Sequence, residues 1–258
     1  MKVATIQTNI IWQDQAANLE NFQNKILSSQ DDVDLILFPE TCSTGFTINS
    51  VRFAEDQNGA TESFFIQSAI RKNCYVGGGW IEKNPDGHPF NTFSIASPDG
   101  KILGRYRKLH PFSFAGEDKN FSSGAKLVRL DVLGFCASLL ICYDLRFPEI
   151  FRKTAGQTDL YIVIANWPED RIDAWDTLLK ARAIENLAFV LGVNRIGNAG
   201  VKNFISHNGH SSLYSPSGKN LFDISEDERI LYAEISLDDL KIFRDRFPFL
   251  NDRRKELQ

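Results

Sequence analysis

A chain of 258 residues with 43% hydrophobic and 24% charged residues has the composition of an ordinary globular protein, which excludes disorder, collagen and coiled coil. A formal net charge of −4, with no basic run longer than Arg253-Arg254-Lys255, offers no cationic face for nucleic acid. No stretch of about 18 apolar residues suggests a membrane span. The four cysteines form neither a C-x-x-C pair nor a disulfide framework, so reduced thiols in a cytoplasmic protein, with no metal and no cofactor, are expected.

In chain order, residues 2–8 alternate like a strand and lack the apolar core of a secretory leader. From Asp14 to Ser29, Ala17, Leu19, Phe22, Ile26 and Leu27 recur at helical spacing. Residues 33–38 are apolar but for Asp34 and end at Pro39, the pattern of a strand buried on both faces. A helix is predicted over 61–72, then strands over 74–81, 90–96 and 102–106, with turns at Asn84-Pro85-Asp86-Gly87 and Pro98-Asp99-Gly100. The second half repeats the alternation, with strands over 126–131, 135–141, 159–164 and 188–193. Between the last two, residues 173–187 read as a helix with Trp175, Leu178, Leu179, Ala183, Ile184 and Leu187 on one side. Short strands near 210–214, 219–223 and 229–235 surround the turn Ser215-Pro216-Ser217-Gly218, and a helix follows residue 236. No linker or repeat divides the chain, so 1–258 reads as one α/β domain. Its strands outnumber the needs of one doubly wound sheet; two sheets face to face, with helices outside, would use them all.

Three of these strands end in reactive side chains. Cys142 follows the apolar run 135–141 and precedes Tyr143-Asp144-Leu145-Arg146-Phe147-Pro148. A thiol at a sharp strand-to-helix turn gains exposure and nearby backbone N–H donors, although a strand-end cysteine also serves as a small buried hydrophobe. Glu40 follows Phe38-Pro39 at the mouth of another buried strand, where ligands of α/β sheets collect; alone it reads equally as a cap. Lys108 ends the strand Gly104-Arg105-Tyr106-Arg107, and alone it reads as solvated surface, as do Arg105 and Arg107. Together the three supply the parts of acyl transfer from an amide. The carboxylate accepts the thiol proton and returns it to the leaving amine. The ammonium, with the Tyr143 N–H, stabilises the oxyanion.

Three blocks carry a resemblance to the nitrilase superfamily of carbon–nitrogen hydrolases: Leu37-Phe38-Pro39-Glu40 with Ser43-Thr44-Gly45-Phe46; Tyr106-Arg107-Lys108-Leu109-His110; and Cys142 through Glu149. Asn166-Trp167-Pro168, Arg182-Ala183-Ile184-Glu185-Asn186 and Asn194-Arg195-Ile196-Gly197 are similar to its omega-amidase branch. That branch hydrolyses the side-chain amide of 2-oxoglutaramate or 2-oxosuccinamate to the diacid and ammonia. The resemblance implies an α-β-β-α sandwich, commonly a homodimer, with Glu40 as general base, Lys108 as oxyanion stabiliser and Cys142 as nucleophile. It implies a second glutamate after the lysine, best matched by Glu117, with Asp118 one place away. Pro111 stands where the branch usually has leucine; it fixes φ and removes a donor, so the loop carrying Glu117 is expected to follow its own path.

A small diacid monoamide needs a cation for its far carboxylate. Arg146, four residues after Cys142, is the candidate, unless it pairs with Asp144 or Glu149 and only braces the turn. Similar N-carbamoyl amino acid hydrolases associate this position with the substrate carboxylate. Phe46, Phe112, Tyr143 and Trp167 would wall a narrow pocket. The rivals are a nitrilase or N-carbamoyl amino acid amidohydrolase with the same triad, an idle scaffold of the same fold, and a papain-type thiol hydrolase using His110, His207 or His210 as base.

Overall fold

The computed structural model describes residues 1–201 and 204–254; Lys255 of the basic run lies outside them. The first half supplies β1 (Lys2–Gln7), α1 (Gln15–Ser28), β2 (Leu35–Leu37), α2 (Ser50–Phe53), α3 (Ala60–Lys72), β3 (Tyr75–Glu82), β4 (Phe90–Ala96) and β5 (Ile102–Arg107). The second half supplies β6 (Arg129–Val132), β7 (Phe135–Ile141), α4 (Pro148–Thr154), β8 (Leu160–Ala165), α5 (Ile172–Asn186) and β9 (Phe189–Asn194). Then come β10 (Ile196–Ala199), β11 (Ile205–Asn208), β12 (Ser212–Tyr214), β13 (Arg229–Glu234) and α6 (Leu237–Arg246).

Two sheets result, ordered β13-β1-β2-β3-β4-β5 and β12-β9-β8-β7-β6, with β10 and β11 as a separate hairpin. Period-two parity decides which side chains fill which layer. Val3, Leu35, Leu37, Phe93 and Ile95 face the second sheet and share one core with Leu139, Ile162 and Leu191. Their neighbours Ala4, Ile36, Phe38 and Val76 point the other way, onto Phe22 and Ile26 of α1 and Phe65 and Ala69 of α3. Trp175, Leu179 and Ala183 of α5 cover the outer face of the second sheet. The layers are helix, sheet, sheet, helix: the α-β-β-α sandwich the strand count called for.

Several elements depart from expectation. Only the bridge Tyr214↔Asn220 forms where a strand over 219–223 was expected. The Asn220 side-chain oxygen takes the Leu213 and Phe222 N–H groups, so side-chain bonds stand beside the Leu221 N–H to Leu213 carbonyl bond in place of a full ladder. β12 starts at Ser212 because His210 adopts a left-handed backbone, φ 59°. The hairpin β10–β11 was not foreseen. Leu27 and Ile184 are exposed although their spacing placed them on buried stripes. Arg105 and Arg107 are not free solvated charges: each forks onto a buried carboxylate, Glu62 and Glu82 respectively.

Candidate active site

Glu40, Lys108 and Cys142 come from the mouths of β2, β5 and β7, and the facing of the two sheets brings them together on one pocket of about 490 Å³. The Glu40 turn is pressed onto β3. Gly79 donates to the Pro39 carbonyl at 3.0 Å and its own carbonyl accepts the Cys42 N–H at 2.8 Å. A Cβ at Gly79 would sit 2.5 Å from the Thr41 nitrogen, so only glycine permits this approach.

Cys142 opens a short 3₁₀ turn with φ 47°, a left-handed conformation that a non-glycine residue holds only under constraint. Asp144, fully buried, supplies that constraint. Its Oδ2 accepts from the Tyr106 hydroxyl at 2.7 Å and the Ile141 N–H at 3.1 Å; its Oδ1 accepts from the His110 N–H at 3.1 Å and lies 2.8 Å from His110 Nδ1. The strand ends of Lys108 and Cys142 are thus tied through one carboxylate.

The Lys108 ammonium, 2% exposed, donates to Glu40 Oε1 at 3.0 Å and to Glu117 Oε2 at 2.8 Å. Burial would lower its pKa, but the charges of Glu117 and Glu40 outweigh burial and push it up. Glu40 is held below the ordinary carboxylate range: burial opposes ionisation, and the Lys108 charge with the Asn166 and Asn91 donors overcomes it. Glu117 is pushed up by burial and by Glu40's charge despite Lys108. The pair is therefore split, with Glu40 the more readily ionised of the two carboxyls. Burial and the facing Glu40 charge raise the Cys142 thiol well above its ordinary value, with Lys108 opposing them.

Glu117 is buried against Lys108 while its neighbour Asp118 is exposed. After Pro111 the loop turns back on itself, the Phe112 N–H donating to Glu117 Oε2 at 2.6 Å. Phe46, Phe112, Tyr143, Trp167 and Arg146 all line the pocket with the three reactive residues; Glu117 sits behind Lys108 rather than on the wall. The Arg146 guanidinium lies over the Trp167 ring, 5.0 Å from its centroid. Asp144 is engaged elsewhere, and among the described residues no carboxylate lies within ion-pair reach of Arg146.

Three further residues, Asn166, Asn91 and Arg171, went unforeseen at the site. Asn166 donates its backbone N–H to Glu40 Oε2 at 2.8 Å and its side-chain amide to the Glu40 carbonyl at 2.8 Å. Asn91 bridges Glu40 and Glu117. Arg171 and His207 line the pocket. Burial and Arg195 lower the pKa of His207 to about 4. Of the three histidines weighed as bases, His110 faces Asp144, His207 faces the Gly197 carbonyl and His210 faces Asp176. Among the described residues no cluster suited to a metal ion occurs, and no helix is long and apolar enough to cross a membrane.

The model of the carbon-nitrogen hydrolase family matches residues 2–245. The chain is 34% identical over 258 residues to an omega-amidase, YafV, of Yersinia enterocolitica, covering 100% of this chain and 98% of that one. It is 31% identical over 257 residues to a 2-oxoglutaramate amidase of Bacillus subtilis, covering 99% and 98%. Among solved structures, XC1258 of Xanthomonas campestris, a CN-hydrolase superfamily protein with an arsenic adduct in its active site, superposes with a TM-score of 0.94 at 32% identity, covering 99% of this chain and 97% of that one. With its sandwich fold and full-length relatives, the chain belongs to the carbon-nitrogen hydrolase family and is an enzyme of the nitrilase superfamily, similar to its omega-amidases.

Proposed function

We propose that the chain is a thiol amidohydrolase that releases ammonia from short dicarboxylic acid monoamides such as 2-oxoglutaramate, 2-oxosuccinamate and succinamate. The observation that carries this reading is the Lys108 ammonium, bridged between Glu40 and Glu117 on the wall of the pocket that holds Cys142. Glu40 takes the thiol proton as sulfur attacks the amide carbon. The oxyanion is met by the Lys108 ammonium and the Tyr143 N–H. Glu40 returns the proton to nitrogen, the C–N bond breaks, and ammonia leaves a thioester on Cys142. Water then gives a proton to Glu40 and its oxygen to the acyl carbon, freeing the diacid and the thiol. A high thiol pKa suits this scheme, because the proton moves only as the sulfur attacks.

The substrate class rests on Arg146, a cation with no carboxylate in reach among the described residues, on a wall that carries several aromatic rings. Phe46, Phe112, Tyr143 and Trp167 restrict the pocket to short acyl chains. The proposal includes a single domain over 1–258, supported by a core shared between both sheets. It also includes a homodimer, as in similar sandwiches, and a reducing cytoplasmic setting, supported by four free cysteines.

The test is ammonia release from 2-oxoglutaramate, succinamate, glutamine, acetamide, an aliphatic nitrile and an N-carbamoyl amino acid. The two diacid monoamides should outrun the neutral substrates by a wide margin, and Cys142→Ala should abolish turnover with folding intact. An active Cys142→Ala enzyme refutes the mechanism; a preferred nitrile or carbamoyl substrate refutes the substrate class.

A further inference from the structure

Glu40 and Glu117 share a second partner on β4. Asn91, 1% exposed, donates Nδ2 to Glu40 Oε1 at 2.7 Å and to Glu117 Oε1 at 2.9 Å. Both carboxylates otherwise receive donors, so the amide can only point its nitrogen at them. Asn91 Oδ1 is consequently buried without a hydrogen-bond partner among the described residues. A buried orphan acceptor is destabilising, and an apolar residue at this strand position would avoid it. The nitrogen must therefore do something the site needs.

The geometry indicates what that is. Lys108 is a single rotating ammonium that draws both acids toward one point. The planar amide sends its two N–H bonds about 120° apart, which sets the two Oε1 atoms about 5 Å from one another when both bonds are straight. The Asn91 carbonyl also accepts the Lys108 N–H at 2.9 Å, fixing the lysine on the same strand position.

We infer that Asn91 is a positioning residue for the reaction: its amide nitrogen spaces Glu40 and Glu117 around Lys108, so that Glu40 meets the Cys142 thiol without a proton of its own. The inference rests on the reading of Glu40 as base and goes beyond it by giving a role to a residue that does not line the pocket. The charged and titratable groups facing Glu40 are Lys108 from the end of β5, Glu117 from the following loop, Cys142 from the turn after β7 and, farther away, His207 from β11. None can replace the two donors. Without them Glu40 keeps a proton at higher pH, and thiol activation is lost from the acid side.

The experiment measures carbamidomethylation of Cys142 by iodoacetamide against pH in the full chain, by peptide mass, for wild type, Asn91→Leu, Asn91→Ser and Glu40→Gln. Asn91→Leu should move the acid limb up by about one pH unit, a tenfold slower reaction at a given pH on that limb. Asn91→Ser, with one donor, should fall between. Acid limbs that stay in place while the melting temperature falls make Asn91 a structural brace and overturn the inference. If Asn91→Leu fails to fold, Asn91→Ser decides by the same criterion. A wild-type profile with no acid limb, matched by Glu40→Gln, sinks the reading of Glu40 itself; Glu40→Gln slowed with unmoved Asn91 variants sinks this inference alone.

Discussion

Replacing Asp144 by Asn probes how the turn that presents Cys142 is held. The wild-type carboxylate, itself fully buried, accepts from Tyr106, Ile141 and the His110 backbone and also contacts the half-buried His110 ring. In the variant one oxygen becomes an NH₂ group that faces donors whichever way the amide turns. His110 can change tautomer and the Tyr106 hydroxyl can rotate, but a backbone N–H cannot, so at least one is left buried and unpaired. That costs about 1–3 kcal/mol, and weakening the remaining bonds from charged to neutral adds about 1 kcal/mol or more. A loss of about 2–4 kcal/mol matches or exceeds the roughly 1–2 kcal/mol by which a left-handed Cys142 is strained. The thiol should therefore relax away from Glu40 and Lys108, and displacement by about 1 Å is enough for roughly a hundredfold loss of kcat. Urea melts would read the stability, steady-state ammonia release the kcat and KM, and iodoacetamide the thiol. We expect kcat to fall about 10–100-fold with KM changed less than about threefold, and Tyr106→Phe to show a milder version. An Asp144→Asn enzyme within twofold of wild-type kcat refutes the argument that this carboxylate places the nucleophile.

Three other outcomes are expected. Lys108→Arg and Lys108→Ala should both lose kcat by about 10²–10³, because guanidinium keeps the charge but not the reach; a near-normal Lys108→Arg enzyme would show that charge alone suffices. Arg146→Met should raise KM for diacid monoamides while leaving slow hydrolysis of neutral amides nearly unchanged, and equal losses on both would mark Arg146 as a brace for its turn. His207, 5% exposed, has a folded pKa near 4, below its unfolded value. The unfolded chain then binds the extra proton, so stability should fall by about 3 kcal/mol as pH drops from about 6.5 to 4. His207→Gln should flatten that part of the curve in denaturant melts across pH; an unchanged slope would show that His207 is not its source.

Much of the frame was legible because burial writes simple patterns. Residues 35–38 are apolar at every step and 135–141 at every step but Ser138, as strands covered on both faces must be, and each run leads into a residue now on the pocket wall, Glu40 or Cys142. Lys108 was less legible: by itself it looks like its neighbours Arg105 and Arg107, and only its ion pairs with Glu40, three strands away in the same sheet, and with Glu117 in the following loop explain its burial. Asn91 and Asn166 gave no local signal. Each is one polar residue at or just beyond a strand, and what matters is the carboxylate it meets 51 or 126 residues away in sequence. The β10–β11 hairpin escaped because Gly197, Asn198, His207 and Asn208 break the alternation that marks a half-buried strand.

The pairing of β1 with β13 has a consequence for how the molecule is made. Lys2 meets Glu234 in that ladder, so one edge of the first sheet stays open until more than two hundred further residues have left the ribosome. At about 5–20 residues per second this interval is on the order of ten seconds or longer. Until then β1 presents unpaired N–H and C=O groups to any other strand, a hazard for self-association during synthesis. The late strand also makes folding slow, because its loop must close before the contacts reward it. Glu40 and Cys142 ride on different sheets, so in a nascent chain the carboxylate and the thiol stay apart until the two sheets pack on one another.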